Sequence, residues 1–72
     1  MIYVLVFRCY DYYRFDEVIK ASTDLDVIVH MKENSPHKDL PVYFESSEHY
    51  KEDSAILAKQ EIPHFVIMEF KE

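Results

Sequence analysis

The chain has 72 residues, of which 49% are hydrophobic and 31% charged, a composition that excludes a disordered segment and predicts one folded domain spanning 1–72. Fourteen acidic residues against eight basic ones give a net charge of −6, which opposes direct binding to nucleic acid or to anionic membranes. Glycine is absent, so the glycine-rich loops that bind phosphate are excluded. The single cysteine allows no internal disulfide, and with the short apolar runs it predicts a cytoplasmic protein.

The first two predicted elements are a strand and a helix. Residues 2–9 are apolar at both alternating sets of positions, which is typical of a central strand covered on both faces. In the next segment apolar side chains recur at helical spacing, and Asp11 is placed to cap the first turn. We therefore expect a helix over 11–22. Its apolar stripe includes Tyr12, Phe15, Val18 and Ile19.

The segment 24–31 permits two interpretations. Apolar and polar residues alternate along it, and it contains a Val-Ile-Val triplet, so it predicts an edge strand. A helix is the alternative, because Thr23 and Asp26 imitate a capping box. The apolar residues that would then share one helical face are Leu25, Ile28 and Met31.

The second half of the chain predicts a turn, a strand, a helix and a strand. Residues 32–39 collect turn-forming residues, and 40–45 form a short apolar strand after them. Ser46 or Ser47 is placed to cap a helix that runs to about residue 60. Pro63 prevents that helix from continuing, and 64–70 predict the last strand.

This order of elements, β-α-β-β-α-β, predicts an α+β protein with the ferredoxin-like sandwich fold. Such a fold has an antiparallel sheet of strand order 4-1-3-2, with both helices on one face. The other sheet face would then be open and apolar, so we expect a second copy to cover it in a homodimer. The alternative is a monomer whose 32–39 loop folds over that face. The predicted dimer interface consists of Tyr3, Leu5, Phe7, Phe65 and Ile67.

The side chains that usually carry chemistry show no recognisable arrangement. The four histidines lack the spacing of metal ligands, so we expect neither a metal nor a cofactor. Cys9 is more typical of an inert core thiol than of a nucleophile. We therefore expect a protein that is not an enzyme.

The opening IYVLVFRCYD resembles the start of a family of small CRISPR-associated proteins, which are ferredoxin-like dimers with an aspartate after strand one. The similarity covers about ten residues. It implies one enzymatic alternative, a metal-dependent nuclease centred on Asp11. Nuclease activity would require magnesium and would disappear in Asp11→Asn.

Carboxylates are concentrated in YFESSEHYKED, residues 43–53, where Lys51 is the one cation. On a helix Glu48 and Glu52 lie about 6 Å apart on one face. Acids also alternate with aromatic residues over 10–17. We expect these two segments to bind a partner through Glu45, Glu48, Glu52, Asp53, Asp11, Tyr12, Tyr13, Asp16 and Glu17.

In size, acidity and aromatic content the whole chain resembles the small acidic inhibitors of bacteriophages, which mimic DNA charge and occupy the DNA-binding surfaces of host proteins. The resemblance implies an inhibitor that binds a basic DNA-binding host protein, in agreement with the expectations of a non-enzymatic homodimer that binds neither nucleic acid nor membrane. A solvated face that keeps the protein soluble is the other role open to these acids. The alternative function is a small dimeric regulatory or ligand-sensing domain with a pocket at the dimer seam.

Overall fold

The computed structural model of the chain describes residues 1–11 and 13–71, and for Asp11 it describes the backbone alone. The elements of this part of the chain are β1 (Ile2–Asp11), β2 (Tyr13–Ser22), α1 (Leu25–Glu33), β3 (Val42–Phe44), α2 (Glu48–Lys59) and β4 (His64–Phe70). No helix among these residues is long and apolar enough to cross a membrane.

The strands form one mixed sheet in the order β2-β1-β4-β3. β1 pairs antiparallel with β2 on one side and with β4 on the other. β3 pairs parallel with β4, and α2 is the crossover that joins them. The register between β1 and β2 shifts between Leu5 and Val6, because Ile19 is the extra residue of a β-bulge.

The two helices lie on opposite faces of the sheet. Successive side chains of a strand point to opposite faces, so Phe65 and Val66 of β4 face different layers. Phe65 packs in one cluster with Ile28 of α1, whereas Val66 packs in another with Tyr50 and Leu57 of α2. The sheet is therefore the middle layer of three.

β1 and β4 form the centre of the core because each is covered on both faces. Leu5 and Val6 of β1 point to opposite sides, and both are buried. Residues 64–67 of β4 are buried without interruption. The prediction of a central strand in the first segment is confirmed, as is the prediction of a strand over 64–70.

The predicted helix over 11–22 is wrong, since Asp11 ends β1 and residues 13–22 form β2. Its tyrosine, phenylalanine, valine and isoleucine residues favour strands, and β1 offers them a complete antiparallel partner. The bulge at Ile19 explains the misleading pattern. One extra residue breaks the period of two, so Val18 and Ile19 fall next to each other as they would on a helical stripe.

The predicted strand over 24–31 is also wrong, and the helical alternative is confirmed by α1. The Asp24 side chain caps this helix by accepting from the Asp26 N–H at 2.9 Å. Leu25, Ile28 and Met31 all contribute to the cluster beneath the helix. Burial of this face outweighs the strand preference of the Val-Ile-Val triplet.

At the level of class, the prediction of an α+β protein with one four-stranded sheet and two helices is confirmed. The ferredoxin-like assignment is not confirmed, because the strand order is 2-1-4-3 and β3 runs parallel to β4. The first and last strands are antiparallel neighbours in both arrangements. The prediction of both helices on one face is wrong, because α1 and α2 pack against different sides of β4.

The helix predicted to end near residue 60 is confirmed as α2, with Ser47 as its N-cap. The helix closes with a left-handed residue, Glu61, at φ 55°. Glu61 N–H donates to Ala58 C=O at 3.2 Å, and Ile62 N–H donates to Leu57 C=O at 2.9 Å. These two bonds form a Schellman motif in which glutamate takes the position that glycine usually occupies.

Candidate functional site

Exposed carboxylates gather where β3 leads into α2. Glu45 follows β3, Glu48 begins α2 and Glu52 lies one turn further on, and all three side chains are exposed. Glu69 of β4 joins them, because the Ser46 hydroxyl donates to its carboxylate at 3.1 Å. We refer to Glu45, Glu48, Glu52 and Glu69 as the acidic surface.

Lys51 forms an ion pair within the acidic surface. The Lys51 ammonium is 3.6 Å from the Glu48 carboxylate, and both side chains are more than half exposed. An ion pair this open to water contributes little and leaves most of the negative field in place. Asp53 was predicted to belong to the same surface, but it is half-buried and points about 140° around the helix from Glu48.

The second predicted partner-binding segment lies at the opposite edge of the sheet. Tyr13, Asp16 and Glu17 belong to β2, whereas the acidic surface adjoins β3. The two edge strands are three strand spacings apart, about 14 Å. The structure therefore does not bring the two predicted segments together. Tyr12 and the Asp11 side chain, predicted for the same surface, lie outside the described residues.

The residues predicted to form a dimer interface lie on the face that α1 covers. Leu5, Phe65 and Ile67 are buried there, and Tyr3 and Phe7 are partly buried against the same cluster. The expectation that this face is open is wrong, because the segment after β2 forms a helix that packs on it. Homodimer formation itself stays a prediction.

A buried polar network occupies the other sheet face, beneath α2. Arg8, Asp16 and His64 lie side by side on β1, β2 and β4. The Arg8 guanidinium donates to both Asp16 carboxylate oxygens, at 2.8 and 3.0 Å, and to the Tyr50 hydroxyl at 2.6 Å. We refer to Arg8, Asp16, Tyr50 and His64 as the polar network.

The hydrogen bonds of His64 define which ring nitrogen carries the proton. Its Nδ1 lies 2.9 Å from the Ile62 carbonyl, which can only accept, so Nδ1 carries the proton. Its Nε2 therefore accepts from the Tyr50 hydroxyl at 3.2 Å. The Tyr50 hydroxyl thus accepts from Arg8 and donates to His64, so that each donor in this series of hydrogen bonds faces an acceptor.

Burial and pairing shift the pKa values of this network. The hydrogen bonds from Arg8 lower the pKa of the Asp16 carboxyl, and the same pairing raises that of Arg8. Burial lowers the pKa of His64, because the charged imidazolium would lose its hydration. Burial also raises the pKa of Tyr10, whose ring lies 6.1 Å from that of His64.

Arg8 and His64 of the polar network are shielded from solvent, whereas the Asp16 side chain is 30% exposed. Arg8 is 6% exposed and His64 0%. No buried side-chain nitrogen or oxygen in the described residues lacks a hydrogen-bond partner. Sequence reasoning missed the network, although a lone arginine inside an apolar strand was a signal that a buried acid must lie opposite it.

A half-open cavity of about 350 Å³ lies on the α1 side of the sheet. Its walls come from β1, β2, β4, the end of α1 and the loop at 34–37. The side chains that define its character are Phe7, Glu17, Ile19, Met31, His37 and Phe65. We refer to this space as the α1 cavity.

Neither a metal site nor a thiol site accompanies these features. Among the described residues no three His, Cys, Asp or Glu side chains lie close enough to hold a metal ion. Cys9 is a half-buried free thiol opposite Phe15 on β2.

Comparison with known protein families, curated proteins and solved structures finds no match to this chain. The two resemblances noted in the sequence therefore stay expectations. What defines the protein is its three-layer α+β fold with an acidic surface at one edge of the sheet.

Proposed function

We propose that the chain is a non-enzymatic protein-binding module whose acidic surface occupies the DNA-binding surface of a basic host protein that handles nucleic acid. The observation that carries the proposal is the grouping of the exposed carboxylates Glu45, Glu48, Glu52 and Glu69 where β3 leads into α2. The proposal includes that the protein acts as the bacteriophage inhibitors it resembles do, by mimicking DNA charge.

The spacing of these carboxylates supports electrostatic recognition. Glu48 and Glu52 lie about 6 Å apart, which is less than the Debye length of about 8 Å at physiological salt. Their fields therefore add at the distance where a basic partner approaches. Association with such a surface is accelerated by steering and weakens as salt rises.

The experiment compares three versions of the purified protein in affinity capture from bacterial lysate. These are the wild type, the double reversal Glu48→Lys with Glu52→Lys, and a control reversal, Glu33→Lys with Asp39→Lys. All four substituted side chains are exposed, and both doubles change the net charge equally.

We expect wild type and control to capture the same DNA-binding protein, released by duplex DNA and by salt, and the Glu48/Glu52 variant to lose it. Equal capture by all three versions would contradict the proposal. So would equal loss in both variants, because net charge alone would then explain binding.

We also propose that the protein is a homodimer joined along β2. This edge strand has ten residues, and Tyr13 and Val18 are 71% and 66% exposed. The unpaired N–H and C=O groups of a long edge strand can pair with another chain. The bulge at Ile19 interrupts the later half of the strand, so pairing is expected over 13–18, where the partner strand must match the charges of Arg14, Asp16 and Glu17.

Sedimentation over a range of concentrations tests the dimer. Val18→Lys should give a monomer, whereas Ile56→Lys, which places the same charge on an exposed residue of α2, should not. A wild type that is monomeric at about 100 μM would contradict the dimer and leave the acidic-surface proposal intact.

A further inference from the structure

The α1 cavity has the size and lining of a small-molecule site. Known ligand pockets occupy about 300–1,000 Å³, and this one has about 350 Å³. Since a water molecule takes up about 30 Å³ of liquid, the space corresponds to about a dozen non-hydrogen atoms. It therefore suits a molecule no larger than one bicyclic ring with a short side chain.

The floor of the α1 cavity is apolar and aromatic. Phe65 is buried there, with Phe7, Ile19 and Met31 partly buried beside it. The Phe7 and Phe65 rings lie 5.5 Å apart at 55°, and His37 stacks flat on Phe7 at 4.5 Å. Aromatic faces and a thioether together favour a flat, polarizable ring.

The charged side chain at the rim of the cavity, Glu17, favours a positively charged ligand. Glu17 stands at the rim and is exposed, and it forms no ion pair with any residue that the structure describes. None of the described residues that line the cavity is Lys or Arg. A carboxylate or phosphate ligand would thus find no lysine or arginine, whereas an ammonium group finds the Glu17 carboxylate beside the Phe7 ring.

We propose that the α1 cavity binds a small aromatic amine, with its ring on Phe7 and Met31 and its ammonium group on Glu17. This function is separate from that of the acidic surface, which lies beside β3 at the opposite edge of the sheet. Ligand binding at the seam of a dimer had been an alternative from the sequence, whereas this cavity is built within one chain.

Three indole probes of nearly equal size test the charge preference: tryptamine, its neutral alcohol analogue tryptophol, and indole-3-acetate. Binding is followed by the NMR signal of the Met31 methyl group. Met68 lies in the cluster under α2 and serves as an internal control. We expect tryptamine to shift Met31 but not Met68, and to bind about three- to tenfold more tightly than tryptophol. Indole-3-acetate should bind most weakly.

Three variants locate the interaction. Glu17→Gln should bring tryptamine down to the affinity of tryptophol. Glu52→Gln removes the same charge from an exposed residue outside the cavity and should leave the preference unchanged. Ser35→Trp adds bulk to the cavity wall and should weaken all three probes.

Four results would overturn the proposal. The first is the absence of any Met31 shift at about 10 mM probe, since even weak ligands of this size bind at millimolar concentration. The second is equal binding of the amine and the carboxylate. The third is an equal effect of Glu17→Gln and Glu52→Gln. The fourth is a Met31 shift that follows protein concentration alone, which would show that a second copy fills the cavity.

Discussion

Arg8 and Asp16 face each other across β1 and β2, and the Arg8 guanidinium binds both carboxylate oxygens, at 2.8 and 3.0 Å. The Arg8 side chain is 7% exposed and the Asp16 side chain is 30% exposed. Because the positive charge of Arg8 is removed from water, the Asp16 carboxylate must compensate it. A bidentate ion pair of this kind holds β1 and β2 in register and compensates the charge of Arg8.

Replacing Asp16 should therefore destabilise the protein although β2 is an edge strand. We expect Asp16→Asn to lower the free energy of unfolding by about 2 kcal/mol, because a hydrogen-bonded charge is left buried. Urea denaturation measures the change. Glu17→Gln on the same strand is the matched control and should change stability by less than about 0.5 kcal/mol. Equal losses in the two variants would contradict the role given to the pair.

Tyr50 joins α2 to the sheet through its hydroxyl group. Tyr50→Phe keeps the ring but leaves Arg8 Nη1 and His64 Nε2 without their partner. We expect a loss of about 2 kcal/mol in urea denaturation. Tyr43 packs against the same ring at 5.3 Å, and its hydroxyl bonds to no described residue, so Tyr43→Phe should be nearly neutral. A neutral Tyr50→Phe would show that water replaces the hydroxyl.

Mild acid should destabilise the protein through His64. Burial lowers the pKa of folded His64 below its ordinary value of 6.5, so the unfolded chain takes up the proton first. Stability should be complete above about pH 6.5 and should fall below it by up to 1.4 kcal/mol per pH unit. The fall should continue until the pH reaches the folded pKa of His64.

Urea midpoints at pH 7, 6 and 5 measure this dependence. His49→Gln alters an exposed histidine and should keep the fall, whereas His64→Phe should flatten it in whatever fraction remains folded. A wild-type midpoint that is constant from pH 7 to pH 5 would contradict a neutral His64.

The sequence predicted the strands and helix whose apolar pattern is regular. β1, α2 and β4 agree with their predicted ranges because burial repeats there with one period and clear caps bound the helix. The apolar character of β1 at both parities correctly indicated two covered faces. The dimer interface was inferred only because both helices were assigned to one side.

The wrong predictions for 11–22 and 24–31 share a cause. In each segment the local sequence pattern favours one secondary structure, whereas contacts with other segments favour the other. In β2, the bulge at Ile19 imitates helical spacing, and only pairing with β1 resolves it. In α1, the Asp24 cap and burial of Ile28 against Leu5 and Phe65 outweigh strand preference. The Ile28 contacts join residues more than 20 positions apart, and the strand pairs on either side of the bulge join residues 12 and 15 positions apart, so a short window detects neither.

The functional features also differ in whether the sequence could predict them. Three of the four residues of the acidic surface, Glu45, Glu48 and Glu52, lie in one segment, so composition and helical spacing indicated that they would be grouped, whereas Glu69 comes from β4. The polar network and the α1 cavity draw on strands from both ends of the chain. They depend on the sheet order, which the sequence-based fold had assigned differently.

The last prediction concerns Glu61, the left-handed residue that ends α2 at φ 55°. A side chain with a Cβ atom is strained in this conformation, and glycine is not. We expect Glu61→Gly to raise the free energy of unfolding by about 1 kcal/mol, which is a rise in Tm of about 5 °C for a chain of this size. Glu61→Ala removes the same charge but keeps Cβ, so it should not stabilise the protein. A gain shared by both variants would assign the effect to the lost negative charge and would contradict backbone strain as its cause.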